Sequence, residues 1–104
     1  MPYFPVYLDL REQKCLVVGA GEVGLRKIRS LAASQPAELL IVEPEPDSGL
    51  LELVCNSDNL VLAERSFRTE DLHGRFLVIA STADPEVNRE ISDLCRERGI
   101  LCNI

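Results

Sequence analysis

The sequence predicts an α/β domain in which five short parallel strands, ordered 3-2-1-4-5, carry helices on both faces of a doubly wound sheet. Three observations lead to that expectation. Short apolar runs alternate along the chain with segments of helical periodicity. The runs are apolar at successive positions rather than every second one, as in strands covered on both faces. The first run ends in glycine and passes directly into a helical pattern, so the next strand is reached by a right-handed crossover.

The elements follow in order. Lys14–Gly19 (KCLVVG) reads as the first strand. Glu22–Ser34 reads as a helix, with Val23, Ile28, Leu31 and Ala32 at helical spacing and Arg26, Lys27 and Arg29 left to solvent. Gln35-Pro36 closes it, because proline cannot extend a helix. Ala37–Val42 is the second strand, halted by Glu43-Pro44-Glu45-Pro46. Asp47-Ser48 caps a helix to about Cys55, with Leu50, Leu51 and Val54 as its apolar stripe. The turn cluster Asn56–Asn59 leads to a third strand, Leu60–Ala63, and Phe67–Leu72 is a loop with one helical turn capped by Thr69. Phe76–Ala80 is the fourth strand. Asp84-Pro85-Glu86 combines an N-cap, a proline at the first helical position and an acid at the positive helix end. That helix runs to about Arg98 with Val87, Ile91, Leu94 and Cys95 inward, Gly99 stops it, and Ile100–Ile104 is the fifth strand. An apolar lead-in, Tyr3–Leu10, precedes the first strand and is expected on the sheet edge or on a partner chain.

A chain of 104 residues fits one domain, here taken as residues 1–104, with 46% hydrophobic and 27% charged residues. Its net charge of −6 argues against nucleic acid as a partner, since phosphate binding needs clustered cations. The N-terminal residues lack the pattern of a secretory signal, and no apolar stretch approaches the roughly 20 residues that span a bilayer. A cytoplasmic protein without membrane contact is expected. The four cysteines, Cys15, Cys55, Cys95 and Cys102, show no close pairing and are expected to be small buried thiols. His73 lies in a polar turn. No Ser/His/Asp set and no metal cluster can be assembled.

The chemistry concentrates at Gly19-Ala20-Gly21-Glu22-Val23-Gly24. A lone GxGxxG is weak evidence, but here it joins a buried strand to a helix, the context of a Rossmann-type dinucleotide site. Gly19 permits the tight turn, Gly21 lets the backbone approach a pyrophosphate, and Gly24 lets the helix pack against the strand. The helix N-terminus then presents free N–H groups to the anion. Glu43 lies at the end of the second strand, where a carboxylate can accept hydrogen bonds from ribose hydroxyls and repel a 2′-phosphate, so NAD is expected in preference to NADP. Glu43 and Pro44 therefore join the motif as candidate cofactor residues. Ser81 and Thr82, at the end of the fourth strand, join them from the other side of the cleft. Asp84 is expected to cap its helix, and Asn88 either reaches the cleft or is solvated.

These residues also carry a family likeness. Tyr3-Phe4-Pro5-Val6-Tyr7-Leu8-Asp9-Leu10, the run from Cys15 through the glycine turn to Arg26-Lys27, Phe67 with Asp71-Leu72, Leu77–Asp84, Val87-Asn88 and Gly99–Asn103 together resemble the N-terminal domain of siroheme synthases and the stand-alone precorrin-2 dehydrogenases. The resemblance implies NAD-dependent oxidation of precorrin-2 to sirohydrochlorin, in some members with ferrous iron insertion at the same site. It also implies homodimers built largely by segments beyond the dinucleotide-binding unit. The family usually has glycine at position 20 and alanine at position 24, where this chain has Ala20 and Gly24. Many members lack an acid at the position of Glu43. The family's catalytic aspartate lies just beyond the stretch matching Asn103-Ile104, so no catalytic residue is expected within these 104 residues, nor are the dimerisation and tail regions. Catalysis by this chain alone is not expected. The alternative is a regulatory unit that senses NAD(H) and gates a partner, since such modules also use a glycine turn and an acid after the second strand.

Overall fold

The computed structural model describes residues 2–104. Its elements are β1 (Lys14–Val18), α1 (Glu22–Ala33), β2 (Glu38–Val42), α2 (Ser48–Cys55), β3 (Leu60–Ala63), a 3-10 turn (Thr69–Leu72), β4 (Leu77–Ala80), α3 (Pro85–Arg98) and β5 (Leu101–Asn103). All four strand pairings are parallel and the order is β3-β2-β1-β4-β5, as the sequence predicts.

Alternation along the central strands explains why their sequences are apolar throughout. Cys15 and Val17 of β1 pack with Leu39 and Ile41 of β2, Ile28 of α1 and Leu50 of α2. Leu16 and Val18 point the other way, into a second layer with Val78, Ile91 and Cys95. Both faces are thus covered, and a fully buried aliphatic side chain such as Leu16 or Ile28 contributes about 1.5–3 kcal/mol. At the far end of the sheet from the strand tips, Arg75 bonds Glu38 at 2.7 Å and ties the entry of β4 to β2.

Several expectations change at the level of single residues. The lead-in does not pair with the sheet, whose edges are β3 and β5. Only Leu10 of that segment is buried, while Tyr3, Phe4, Val6 and Tyr7 are exposed. On α1, Val23 is exposed and the inward face is Gly24 and Ile28, with Leu31 and Ala32 at its margin. On α2 the stripe is Leu50, Leu53 and Val54, and Leu51 faces outward. This is the i, i+3, i+4 set that one helix face can present. Thr69 does not cap the 3-10 turn: the Arg68 N–H, one residue earlier, donates to the Asp71 carboxylate at 2.8 Å.

Of the cysteines, Cys15 and Cys95 are buried, Cys102 is half-buried and Cys55 is exposed at the end of α2. Burial pushes the Cys95 thiol up to about 12, with the neighbouring Cys102 adding to the shift, so it is inert at neutral pH. His73 is exposed. Among the described residues no helix is long and apolar enough to cross a membrane.

Candidate functional site

A cleft of about 760 Å³ opens where β1, β2 and β4 end, its floor formed by Val18, Val42 and Ala80. This is the crevice where a doubly wound sheet reverses its winding and where such folds take ligands. Gly19, Ala20, Gly21, Glu22, Val23, Glu43, Pro44, Ser81 and Thr82 all line it. Of the candidate residues only Gly24 lies behind the wall.

The three motif glycines do different jobs. Gly19 has φ +94°, and a Cβ there would come 2.6 Å from the Ser81 carbonyl oxygen, so the turn demands glycine on two counts. A Cβ at Gly24 would strike the carbonyl oxygen of Gly19. Its absence lets α1 pack directly against the β1 turn. Gly21 differs from both. Its φ of −70° suits any residue, and among the described residues a Cβ there would have no atom within 4 Å beyond its own chain neighbours. Among the described residues nothing requires glycine at that point. The space it leaves belongs to the cleft, and a closely approaching diphosphate fits the requirement.

Gly21 is also the N-cap of α1, and no side chain caps the helix. By contrast, Asp47 caps α2 by accepting from the Leu50 N–H at 2.8 Å, and Asp84 caps α3 by accepting from the Glu86 N–H at 2.9 Å. The first-turn amides of α1 therefore keep their hydrogen-bonding capacity and the positive end of the helix dipole faces the cleft.

Glu43 sits beside this turn. Its Oε1 accepts from the Ala20 N–H at 2.8 Å and its Oε2 from the Glu45 N–H at 2.9 Å. The carboxylate thus braces the glycine turn against the end of β2. An ionised carboxylate has about four acceptor positions, so roughly two remain for a ligand.

On the opposite side the polar groups are turned inward. The Ser81 hydroxyl donates to the Gly19 carbonyl at 3.0 Å or to that of Val18 at 3.2 Å, and its N–H donates to the Val18 carbonyl at 2.8 Å. Asn88 reaches the cleft but closes on Thr82. Its Oδ1 accepts from the Thr82 N–H at 3.0 Å and hydroxyl at 2.7 Å, and its Nδ2 donates to the Thr82 carbonyl at 3.1 Å.

The sequence reading missed the wall beyond β3, made by Arg65, Ser66 and Phe67. Arg65 forms a two-pronged ion pair with Asp71, Nη1 to Oδ2 at 2.9 Å and Nη2 to Oδ1 at 2.6 Å. Asp71 is 6% exposed, the one charged residue buried among those described. Burial works to raise its pKa, but the bonds from Arg65 and the Arg68 N–H outweigh that and hold it below the ordinary carboxylate value. The signal available in the sequence was positional: Arg65 lies two residues past β3 as Pro44 lies two past β2.

A parallel sheet with this order, a glycine turn at its switch point and an open helix N-terminus beside an acid define a dinucleotide-binding domain. Residues 6–104 match the NAD_binding_7 family, described as "Putative NAD(P)-binding", and the chain belongs to that family. Over all 104 residues it is 40% identical to the siroheme synthase of Nitrosomonas europaea and 42% identical to that of Chromobacterium violaceum. It spans 22% of the length of each, so the chain corresponds to the NAD(P)-binding portion of such proteins. Among solved structures, SirC, a precorrin-2 dehydrogenase, matches 98% of this chain and 49% of its own, with a TM-score of 0.82 and 22% identity. That likeness extends to the fold. The regulatory alternative finds no support in these comparisons.

Proposed function

We propose that this chain binds NAD as the cofactor domain of an enzyme that oxidises precorrin-2 to sirohydrochlorin in siroheme biosynthesis. The observation that carries the reading is the unfilled space at Gly21, in front of an uncapped helix N-terminus and next to Glu43. Gly21, Glu22 and Val23 cradle the pyrophosphate through backbone amides, Gly19 and Ala20 shape the turn with their own N–H groups held by the Val42 carbonyl and the Glu43 carboxylate, and Gly24 holds the helix close behind them. Glu43 holds the adenosine ribose with its remaining acceptor positions, Pro44 adjoins it, and its charge disfavours a 2′-phosphate. Ser81 and Thr82 shape the nicotinamide side of the cleft as surface. NAD, when bound, supplies a hydride acceptor, and the chain's part is to position it against the macrocycle.

The solved precorrin-2 dehydrogenase that shares the fold, and the siroheme synthases that contain a matching segment, support precorrin-2 as the substrate. The reading extends to a cytoplasmic homodimer, for which the exposed Tyr3, Phe4, Val6 and Tyr7 offer apolar surface.

Titration of the chain with NAD, followed by amide chemical shifts, tests the site directly. The amides of Gly19–Val23 and Glu43 are expected to move. Glu43→Ala should weaken NAD by about tenfold, the scale of a hydrogen bond to a charged group. An unchanged affinity, or shifts centred elsewhere, would overturn the assignment.

A further inference from the structure

The cleft continues past Glu43 to a wall that the dinucleotide reading leaves without a role. We infer that Arg65 is the adenine-stacking residue of this site, held flat for the purpose by Asp71. The inference rests on the NAD reading above and adds the base subsite to it.

Topology sets the direction. The pyrophosphate site lies at the mouth of β1 and the ribose carboxylate at the end of β2, so the adenosine half extends toward β3, the strand beyond. β2 and β3 are paired in register as far as Val42 and Ala63, and the Glu43 N–H donates to the Ala63 carbonyl at 3.0 Å. Pro44 and Arg65 therefore leave adjacent strands at the same level, each two residues past the last pair, and both line the cleft.

Arg65 is not free to reach outward as a cation. Both terminal nitrogens are committed: Nη1 donates to Ser66 O at 3.1 Å and to Asp71, and Nη2 donates to Asp71. The guanidinium is gripped by its edge, and its side chain is still 30% exposed. What such a group offers a ligand is its flat face, which stacks on an aromatic ring. Asp71, itself buried and fixed by the Arg68 N–H, sets the orientation of that face. The same grip keeps the cation from swinging to a 2′-phosphate.

ADP and UDP test this, since they share ribose and diphosphate and differ in the base. The wild-type chain should prefer ADP. Arg65→Lys keeps a cation for Asp71 but removes the plane, so ADP should weaken by about three- to tenfold and UDP by less, collapsing the preference. Should both weaken equally, Arg65 is merely structural and the inference fails. It fails equally if the wild type shows no base preference or the substitution leaves ADP binding intact. Were the variant unable to fold, nuclear Overhauser contacts between adenine protons and the Arg65 side chain in the wild-type ADP complex decide the matter, and their absence overturns the proposal. If NAD still shifts the Gly19–Val23 amides while base preference ignores Arg65, only this inference is lost. If neither nucleotide nor NAD binds, the site reading falls with it.

Discussion

Two strand-to-helix turns face each other across the cleft, and they are built on opposite plans. After β1, the turn to α1 is glycine-rich and the helix begins without a side-chain cap. After β4, the turn to α3 satisfies itself: Ser81 bonds back to β1, Asn88 clamps Thr82, Asp84 caps the helix and Pro85 removes one amide from the set needing a partner. The residue types alone suggest the reverse, since hydroxyls and an amide in a cleft look like ligand contacts. What separates the two turns is whether the donors at the helix start already have partners. An anion is drawn to the turn whose backbone is unfinished, and the finished turn serves as a rigid wall.

The largest effect that tests this contrast is expected at Gly19. Alanine there must take up φ +94° and also press on the Ser81 carbonyl, which joins the two turns. Gly19→Ala should cost about 3 kcal/mol or more in chemical denaturation and abolish NAD binding with it. A variant of wild-type stability would show that the turn has an alternative conformation. Gly21→Ala should do the opposite. Its backbone is ordinary and among the described residues its Cβ meets no atom beyond its own chain neighbours, so stability should stay within about 0.5 kcal/mol of wild type. NAD affinity should still fall at least about tenfold, because the methyl occupies space needed for close approach of the diphosphate. Equal affinity would mean that the cofactor does not come near Gly21.

That pair of glycines also marks the limit of what could be read from the chain. The motif and the strand order are legible because they depend on local pattern: apolar runs, glycine spacing and a helix start. The acid at position 43 is legible as a position, whereas its bond to the Ala20 N–H spans 23 residues and follows only from the parallel register of β1 and β2. Helical spacing placed Val23 and Leu51 inward, yet a periodic pattern does not say which neighbour covers the first turn or how wide the buried arc is. Arg65 lies in an irregular connection and Asp71 in the single 3-10 turn that follows, with no period linking the two, so their pairing leaves no trace in the sequence.

The smallest expected effect tests the finished turn. The Ser81 hydroxyl satisfies the carbonyls at the end of β1, and its N–H also bonds the Val18 carbonyl. Ser81→Ala removes the hydroxyl and leaves the backbone bond, so stability should fall by about 1 kcal/mol. Because the hydroxyl is spent within the protein, NAD affinity should change by less than about threefold, below the loss of a direct hydrogen bond. The two readouts must be measured together, by denaturation and by titration, since a loosened turn could weaken binding indirectly. A large loss of affinity with stability intact would mean that the hydroxyl turns to the cofactor on binding, and the distinction between an unfinished and a finished turn would no longer explain where the ligand sits.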